Sequence, residues 1–178
     1  MRGLADYTPI DARLLFVGIN PGLRSAELGL HFAGKGNPFW RLLYTAGLTP
    51  VLLPPEQGGR LVEFGLGLTN LCARPTRSAA ELSRQEFGLG RQTLERKIAR
   101  LQPKVVAFVG LTIYQSYFNH KKTGGAGEKA EIIHGARVFV VPNPSGLNQS
   151  FPGFAQKLIW FVKLRQFLDE VSLAPAPP

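Results

Sequence analysis

Residues 15–26 read LFVGINPGLRSA, an apolar run that ends in a turn rich in glycine and proline. The run 14–17 is continuous and apolar, as expected of a strand that is covered on both faces of a sheet. In residues 18–22, GINPG, a single amide, Asn20, stands between Gly-Ile and Pro-Gly. Glycine permits unusual backbone angles and proline stiffens the chain. We therefore predict that this turn holds the Asn20 amide in a fixed position.

Further strands and helices alternate along the chain. Residues 105–109 and 138–141 are short β-branched runs, and 66–71 is a weaker one. Helical periodicity separates them, most clearly over 94–101 and 154–171, and the pair Asn37-Pro38 suits the start of another helix that Gly47 can end. Such alternation predicts a three-layer α/β/α fold with a central, mostly parallel, four-stranded sheet.

Composition limits the class of protein. A chain of 178 residues, 44% of them hydrophobic, can bury one core, so we predict a single domain over 1–173 and a disordered, proline-rich tail over 174–178. Cys72 is the only cysteine, which excludes a disulfide framework or a cysteine-ligated metal cluster within the chain. No stretch approaches the roughly 20 apolar residues of a membrane span. We expect a cytoplasmic protein, associated with the nucleoid if it is bacterial.

The charge balance favours a polyanionic partner. Lys and Arg number 21 against 12 Asp and Glu, a formal net charge of +9. Nucleic acid is the leading candidate. The basic residues are spread along the chain, however, so charge alone leaves open a protein that is merely basic.

A second asparagine turn follows the last predicted strand. Residues 141–147 read VPNPSGL, which places Asn143 after that strand as Asn20 follows the first. Parallel sheets bind ligands beyond the carboxyl ends of their strands. We therefore predict that Asn20 and Asn143 face each other across one crevice.

Other local patterns are weaker. Residues 29–36 have the spacing of a phosphate-binding loop, but Gly36 stands where a Ser or Thr must ligate magnesium. The histidines His31, His120 and His134 lack the spacing of metal ligands. These patterns predict neither a metal nor a cofactor.

Four ordered motifs together resemble one family. They are GINPG at 18–22, HFAGKGNPFW at 31–40, TNL and RPT at 69–76, and NPSGL at 143–147. Together they resemble the mismatch-specific uracil and thymine DNA glycosylases of the uracil-DNA glycosylase superfamily, and the resemblance extends from about residue 12 to 170. It implies a small α/β/α fold, a role in base excision repair, and cleavage of the bond between uracil and deoxyribose without metal or cofactor.

The resemblance also implies roles for individual residues around an extruded base. Asn20, at the position of the family's catalytic Asn, would hold the attacking water, since a neutral amide is not a useful base at pH 7. The remaining residues would bind the substrate: Ile19 through its main chain, Gly22 by close backbone approach, Ser25 at the sugar or phosphate, Phe32 by stacking on the base, and Asn143 near the base or the water.

A second group of residues would contact DNA outside the base pocket. Residues 146–148, Gly146, Leu147 and Asn148, resemble the family's intercalating loop, and Leu147 is the expected wedge. Ser145, directly before this loop, is also expected to contact DNA. Asn70 stands where relatives often carry Lys, which weakens an inherited phosphate contact. Relatives often carry Ser-Arg after the leucine, where this chain has Asn148-Gln149, so the opposite-base preference is open. Glu27 is either a solvated residue, the reading we favour, or a general base.

The expected substrate is uracil, opposite guanine, in double-stranded DNA with the base flipped out, and the expected state is a monomer. Two alternatives stay open on sequence alone. A stacking platform does not by itself select uracil, so hypoxanthine or xanthine is a possible substrate. A protein that binds damaged DNA without catalysis would carry the same loops.

Overall fold

The computed structural model describes residues 3–120, 124–146 and 150–173. Its centre is a five-stranded sheet. The strands are β1 Leu14–Gly18, β2 Leu66–Asn70, β3 Val105–Val109, β4 Gly127–Ile133 and β5 Ala136–Val141, in the order β2-β1-β3-β5-β4. Strands β2, β1, β3 and β5 are parallel, and β4 is antiparallel to β5.

The predicted α/β/α architecture is confirmed, but the prediction of four strands is wrong. The missed strand is β4, which lies at the edge of the sheet and alternates between buried and more exposed residues. Charged residues such as Glu128 and Glu131 interrupt its sequence. A search for continuous apolar runs finds strands buried on both faces and passes over an edge strand of this kind.

The described residues form five α-helices and two 3₁₀ helices. The α-helices are α1 Leu23–Leu28, α2 Phe39–Thr45, α3 Arg84–Leu101, α4 Leu111–Phe118 and α5 Phe154–Leu173, and the 3₁₀ helices are Pro55–Phe64 and Ala79–Glu81. None of the helices in the described chain combines the length and apolarity that a bilayer span requires.

The two faces of the sheet bury separate cores because successive strand residues point in opposite directions. Phe16 of β1 packs in one core with Phe39 of α2 and Phe161 of α5. Its neighbour Val17 packs in the other core, with Ile98 of α3. The sheet is thus the middle layer of three.

Local chemistry sets the helix ends near the site. The Asn37 side chain accepts the N–H of Phe39 at 3.0 Å, and Gly47 follows the helix with φ +76°, as the sequence predicts for α2. Ser83 and Glu86 form a reciprocal cap at the start of α3. These ends fix the loops that follow the carboxyl ends of β1 and β2.

A cavity at the carboxyl ends of the strands

A cavity of about 510 Å³ opens where the parallel strands end. Asn20 and Asn143, which are far apart in sequence, both line it. The cavity also brings together Ile19, Gly22, Ser25, Phe32, Asn70 and Ser145. Gly146 is exposed in the turn that follows Ser145, and the predicted loop residues Leu147 and Asn148 lie outside the described residues.

Hydrogen bonds fix the direction of the Asn20 side chain. Its Nδ2 donates to the carbonyl of Arg74 at 2.8 Å and to Oγ1 of Thr76 at 2.7 Å. Thr76 Oγ1 in turn donates its proton to the carbonyl of Ser78 at 2.8 Å, so it can only accept from Asn20. Among the residues that the structure describes, none donates to Asn20 Oδ1. The amide nitrogen is therefore bound and its oxygen is available to a ligand.

The segment that binds Asn20 is itself anchored. The Arg74 guanidinium contacts both carboxylate oxygens of Glu86, at 2.6 and 3.0 Å, and donates to the Glu81 carbonyl at 2.7 Å. This pairing lowers the pKa of Glu86 to about 2. Thr76 N–H donates to the Pro21 carbonyl at 3.1 Å, so the segment runs alongside the turn that carries Asn20. Residues 74–76 belong to the motifs that carry the resemblance, but the sequence alone predicts no role for them.

Phe32 is held in an unusual conformation. Its φ is +51°, in the left-handed region that side chains other than glycine rarely adopt and that costs roughly 1–2 kcal/mol. One face of its ring stacks on Phe39, with 3.9 Å between ring centroids and 21° between planes. The next residue, Ala33, donates its N–H to Oγ of Ser25 at 3.2 Å. Strain of this kind is often found at ligand sites.

Two glycines shape the cavity in different ways. A Cβ added at Gly18 would lie 2.6 Å from Oδ1 of Asn70 and 3.9 Å from the ring of Phe32. Glycine is thus what lets the Asn70 amide come close to the end of β1. Gly22 has ordinary angles, φ −69° and ψ 157°, and a Cβ there would meet no described atom within 4 Å. The fold does not need a glycine at this position, and a side chain would enter open space on the cavity wall.

The histidine on the cavity wall has a structural role. His31 is buried, and its Nε2 donates to the carbonyl of Ala5 at 2.8 Å. Burial is the main effect on its pKa, which lies below the usual 6.5. Trp40 donates its indole N–H to the His31 carbonyl at 3.1 Å, which also fixes the backbone beside Phe32.

The charges of the cavity are positive. No aspartate or glutamate is present among the described residues that line it, whereas Arg24 and Arg77 are. Arg24 is paired with Glu27 at 2.8 Å, and both side chains are exposed. Glu27 is not among the residues that line the cavity. Arg77 forms no ion pair with any residue in the described part of the chain.

A buried lysine anchors the second asparagine turn. Asn143 Oδ1 accepts the N–H of Ser145 at 2.9 Å, which closes the turn. Behind it, Nζ of Lys157 donates to the carbonyls of Pro144 at 3.2 Å and Ser145 at 3.1 Å. Lys157 is only 3% exposed, and burial lowers its pKa from the usual 10.5. Sequence reasoning missed this residue, because polar positions on an amphipathic helix normally face solvent.

The next question is whether the described side chains form a metal site. Within residues 3–120, 124–146 and 150–173, no group of three His, Cys, Asp or Glu side chains is placed to hold a metal ion. The Cys72 thiol is buried beside Glu86, and burial raises its pKa to about 11. A thiol with so high a pKa is a poor nucleophile at neutral pH.

Comparisons with known proteins identify a matching family model and a similar solved structure. Residues 5–166 match the family model of the uracil DNA glycosylase superfamily. A candidate uracil DNA glycosylase from Methanosarcina acetivorans, solved by solution NMR, has a similar structure, with a TM-score of 0.66. The comparison covers 94% of this chain and 98% of that one at 18% sequence identity. At this identity the likeness concerns the fold, so the chemistry is argued from the cavity itself.

Proposed function

The chain belongs to the uracil DNA glycosylase superfamily, and from that premise we propose that its cavity takes up a base extruded from DNA and that the protein hydrolyses the bond joining that base to deoxyribose. The observation that carries the proposal is the fixed direction of the Asn20 amide. Its nitrogen is bound to the protein, which leaves its oxygen for a ligand, and Asn20 lines a cavity in which the described residues offer no carboxylate.

Asn20 is proposed to hold the attacking water. Its Oδ1 accepts a hydrogen bond from the water and directs the water's lone pair at C1′ of the sugar. The bond to the base breaks with its electron pair going to the base, which leaves as an anion. Once the C1′–O bond has formed, the water loses its proton to the departing base anion or to solvent water. Because an amide does not take up that proton, the rate depends on positioning and on stabilisation of the leaving base.

The base is proposed to stack on Phe32, beside the turn that follows β1. The Phe32 face opposite Phe39 stacks on the base, an interaction worth about 1–3 kcal/mol. The Ile19 carbonyl already accepts the Cys72 N–H at 2.7 Å, which leaves the Ile19 N–H as the main-chain group for the base. The Asn70 amide offers both a donor and an acceptor, which suits the alternating groups on the edge of uracil. Hypoxanthine presents a similar edge and is the second candidate.

The DNA is proposed to be a duplex, with uracil opposite guanine as the preferred site and a monomer as the acting species. Extrusion costs a few kcal/mol, and less when the base is mismatched. Ser25 and Asn143 border the extruded nucleotide. Residues 146–148, with Leu147 as the wedge, are proposed to fill the gap in the stack, and Ser145 to contact DNA beside them. On the GINPG and NPSGL motifs we assign the chain to the mismatch-specific branch, acting in the cytoplasm or on the nucleoid.

An excision panel tests the proposal. Purified protein is incubated with duplexes carrying uracil, thymine, hypoxanthine or xanthine opposite each base, and with single-stranded uracil DNA, and the freed base is identified by mass. We expect free uracil from the uracil–guanine duplex, at more than one equivalent per protein. If only hypoxanthine or xanthine is released, the substrate is a deaminated purine and not uracil. Tight binding to these duplexes with no base released from any of them would identify a damage-binding protein instead.

A further inference from the structure

A second cavity adjoins the first. Its volume is about 460 Å³, and the two cavities share five lining residues, Ile19, Arg77, Ala79, Asn143 and Ser145. It extends from this common wall to the amino end of α4 and to Phe151. No step of the proposed reaction uses it.

The second cavity is suited to an anion. Hydroxyl side chains line it, those of Ser78, Thr112, Ser145 and Ser150, and the described lining residues include no acid. It also borders Gly110 and Leu111 at the start of α4, where main-chain N–H groups point out of the helix. Hydroxyls and N–H groups without a nearby carboxylate are typical of a site for phosphate.

Arg77 is the cation of this site. It is exposed on the wall common to both cavities, and no acid in the described chain pairs with it. Its neighbours differ, since Arg24 is paired with Glu27 and Arg74 with Glu86. The closest acid along the chain, Glu81, turns its carboxylate to the N–H of Ser78 at 2.9 Å. The Arg77 guanidinium therefore keeps its charge and donors for a ligand.

We propose that the second cavity binds a phosphodiester of the damaged strand, one that adjoins the extruded nucleotide, and that Arg77 is its cation. The inference rests on the proposed function, since it needs the base in the first cavity. A strand whose base enters the first cavity continues across the shared wall, so a flanking phosphate passes Arg77. Its negative charge then meets the Arg77 donors together with the hydroxyls of Ser78 and Thr112.

Neutral phosphate substitution tests the contact. A duplex with one tetrahydrofuran abasic analogue opposite guanine fixes the register without needing any particular base. Single methylphosphonates replace each phosphate in turn on both strands, and the dissociation constant is measured for the wild type, Arg77→Gln and Arg60→Gln. Arg60 is the matched control, because it is exposed and paired with Glu63 on a 3₁₀ helix and does not line either cavity.

We expect one phosphate next to the abasic position to couple to Arg77. Its neutralisation weakens wild-type and Arg60→Gln binding by about tenfold and leaves Arg77→Gln binding unchanged. The slope of log affinity against log salt falls by about 0.9 in Arg77→Gln only. Coupling to no phosphate, to a distant one, or to the opposite strand would overturn the inference. Failure of the wild type to bind the duplex would instead remove the proposed function on which it rests.

Discussion

The side-chain nitrogen of Asn20 lies 2.7 Å from Oγ1 of Thr76, and that hydroxyl passes its own proton to the carbonyl of Ser78 at 2.8 Å. Because the Thr76 hydroxyl donates its only proton to Ser78, it can only accept a hydrogen bond from Asn20. The atom of Asn20 that faces Thr76 must therefore be the donor, the amide nitrogen. The carboxamide of Asn20 is therefore held by its nitrogen, and its oxygen accepts no hydrogen bond from the described residues. This orientation is what a water-positioning amide requires.

Thr76→Val removes the acceptor while nearly keeping the shape of the side chain. We expect excision of uracil from a uracil–guanine duplex to slow by about tenfold, because loss of one hydrogen bond costs roughly 1–3 kcal/mol and lets the amide turn. Single-turnover rates at saturating enzyme measure the effect, with a thermal melt to verify folding. Thr76→Ser keeps the hydroxyl and should stay close to wild type. Equal rates for the Val and Ser variants would show that the bond does not position Asn20.

Gly22→Ala tests whether the open space beside this residue is used by substrate. Its backbone angles suit alanine, and the added Cβ meets no described atom within 4 Å. We expect the free energy of unfolding to change by less than about 1 kcal/mol. Excision should nevertheless fall by about tenfold, because a 1 Å displacement of substrate carries a penalty of that order or more. Gly88→Ala, on the helix α3 and away from the cavity, is the control. If Gly22→Ala excises as fast as this control, the substrate does not approach Gly22.

The strands that face helices on both sides could be predicted well from sequence. β1 and β3 are wholly buried, so their residues form continuous apolar runs that no surface requirement interrupts. The same logic placed Asn20 and Asn143 at the carboxyl ends of parallel strands, and both line one cavity. The edge strand β4 has one solvent-facing side, and its charges conceal it.

Contacts between segments that are distant in the chain could not be predicted from the sequence. The bond from Asn20 to Arg74 joins residues that are 54 positions apart, and it depends on the parallel register of β1 and β2. Lys157 was hidden for a related reason. On a helical pattern it belongs to the polar side, and only the position of the turn at Pro144 and Ser145 explains why it is buried.

Lys157→Met tests whether the buried amine positions the second asparagine turn. Methionine has a similar length but cannot donate to the carbonyls of Pro144 and Ser145. We expect the half-saturating DNA concentration to rise by about tenfold, since two donors to the turn are lost, while the rate at saturation changes less. Lys163→Met, an exposed change on the same helix, removes the same charge. Equal effects of the two variants would mean that charge alone, and not the turn, is responsible.

The pair formed by Arg74 and Glu86 predicts a pH dependence of stability. The pKa of Glu86 is about 2 in the folded protein, below the ordinary 4.5, because Arg74 and the Ser83 N–H stabilise the carboxylate. A lowered pKa contributes stability that is complete above about pH 4.5 and is lost as the pH falls toward 2.

Glu86→Gln should therefore melt at a lower temperature than the wild type at pH 7, and the difference should shrink between pH 4.5 and 2. Thermal melting across this range measures it. Glu63→Gln, which breaks an exposed pair with Arg60, is the control and should have a smaller effect at pH 7. A difference in melting temperature that does not change with pH would contradict the assignment.

Single-turnover excision of uracil from a uracil–guanine duplex tests most directly whether a neutral amide positions the water. The wild type is compared with Asn20→Ala and with Glu27→Gln. Glu27 carries the carboxylate nearest to Asn20 in sequence, and it does not line the cavity. The account predicts a loss of about 100-fold or more for Asn20→Ala, the scale seen when one catalytic polar group is removed, and a wild-type rate for Glu27→Gln. An Asn20→Ala variant as fast as the wild type, or a Glu27→Gln variant slower than it, would contradict the account.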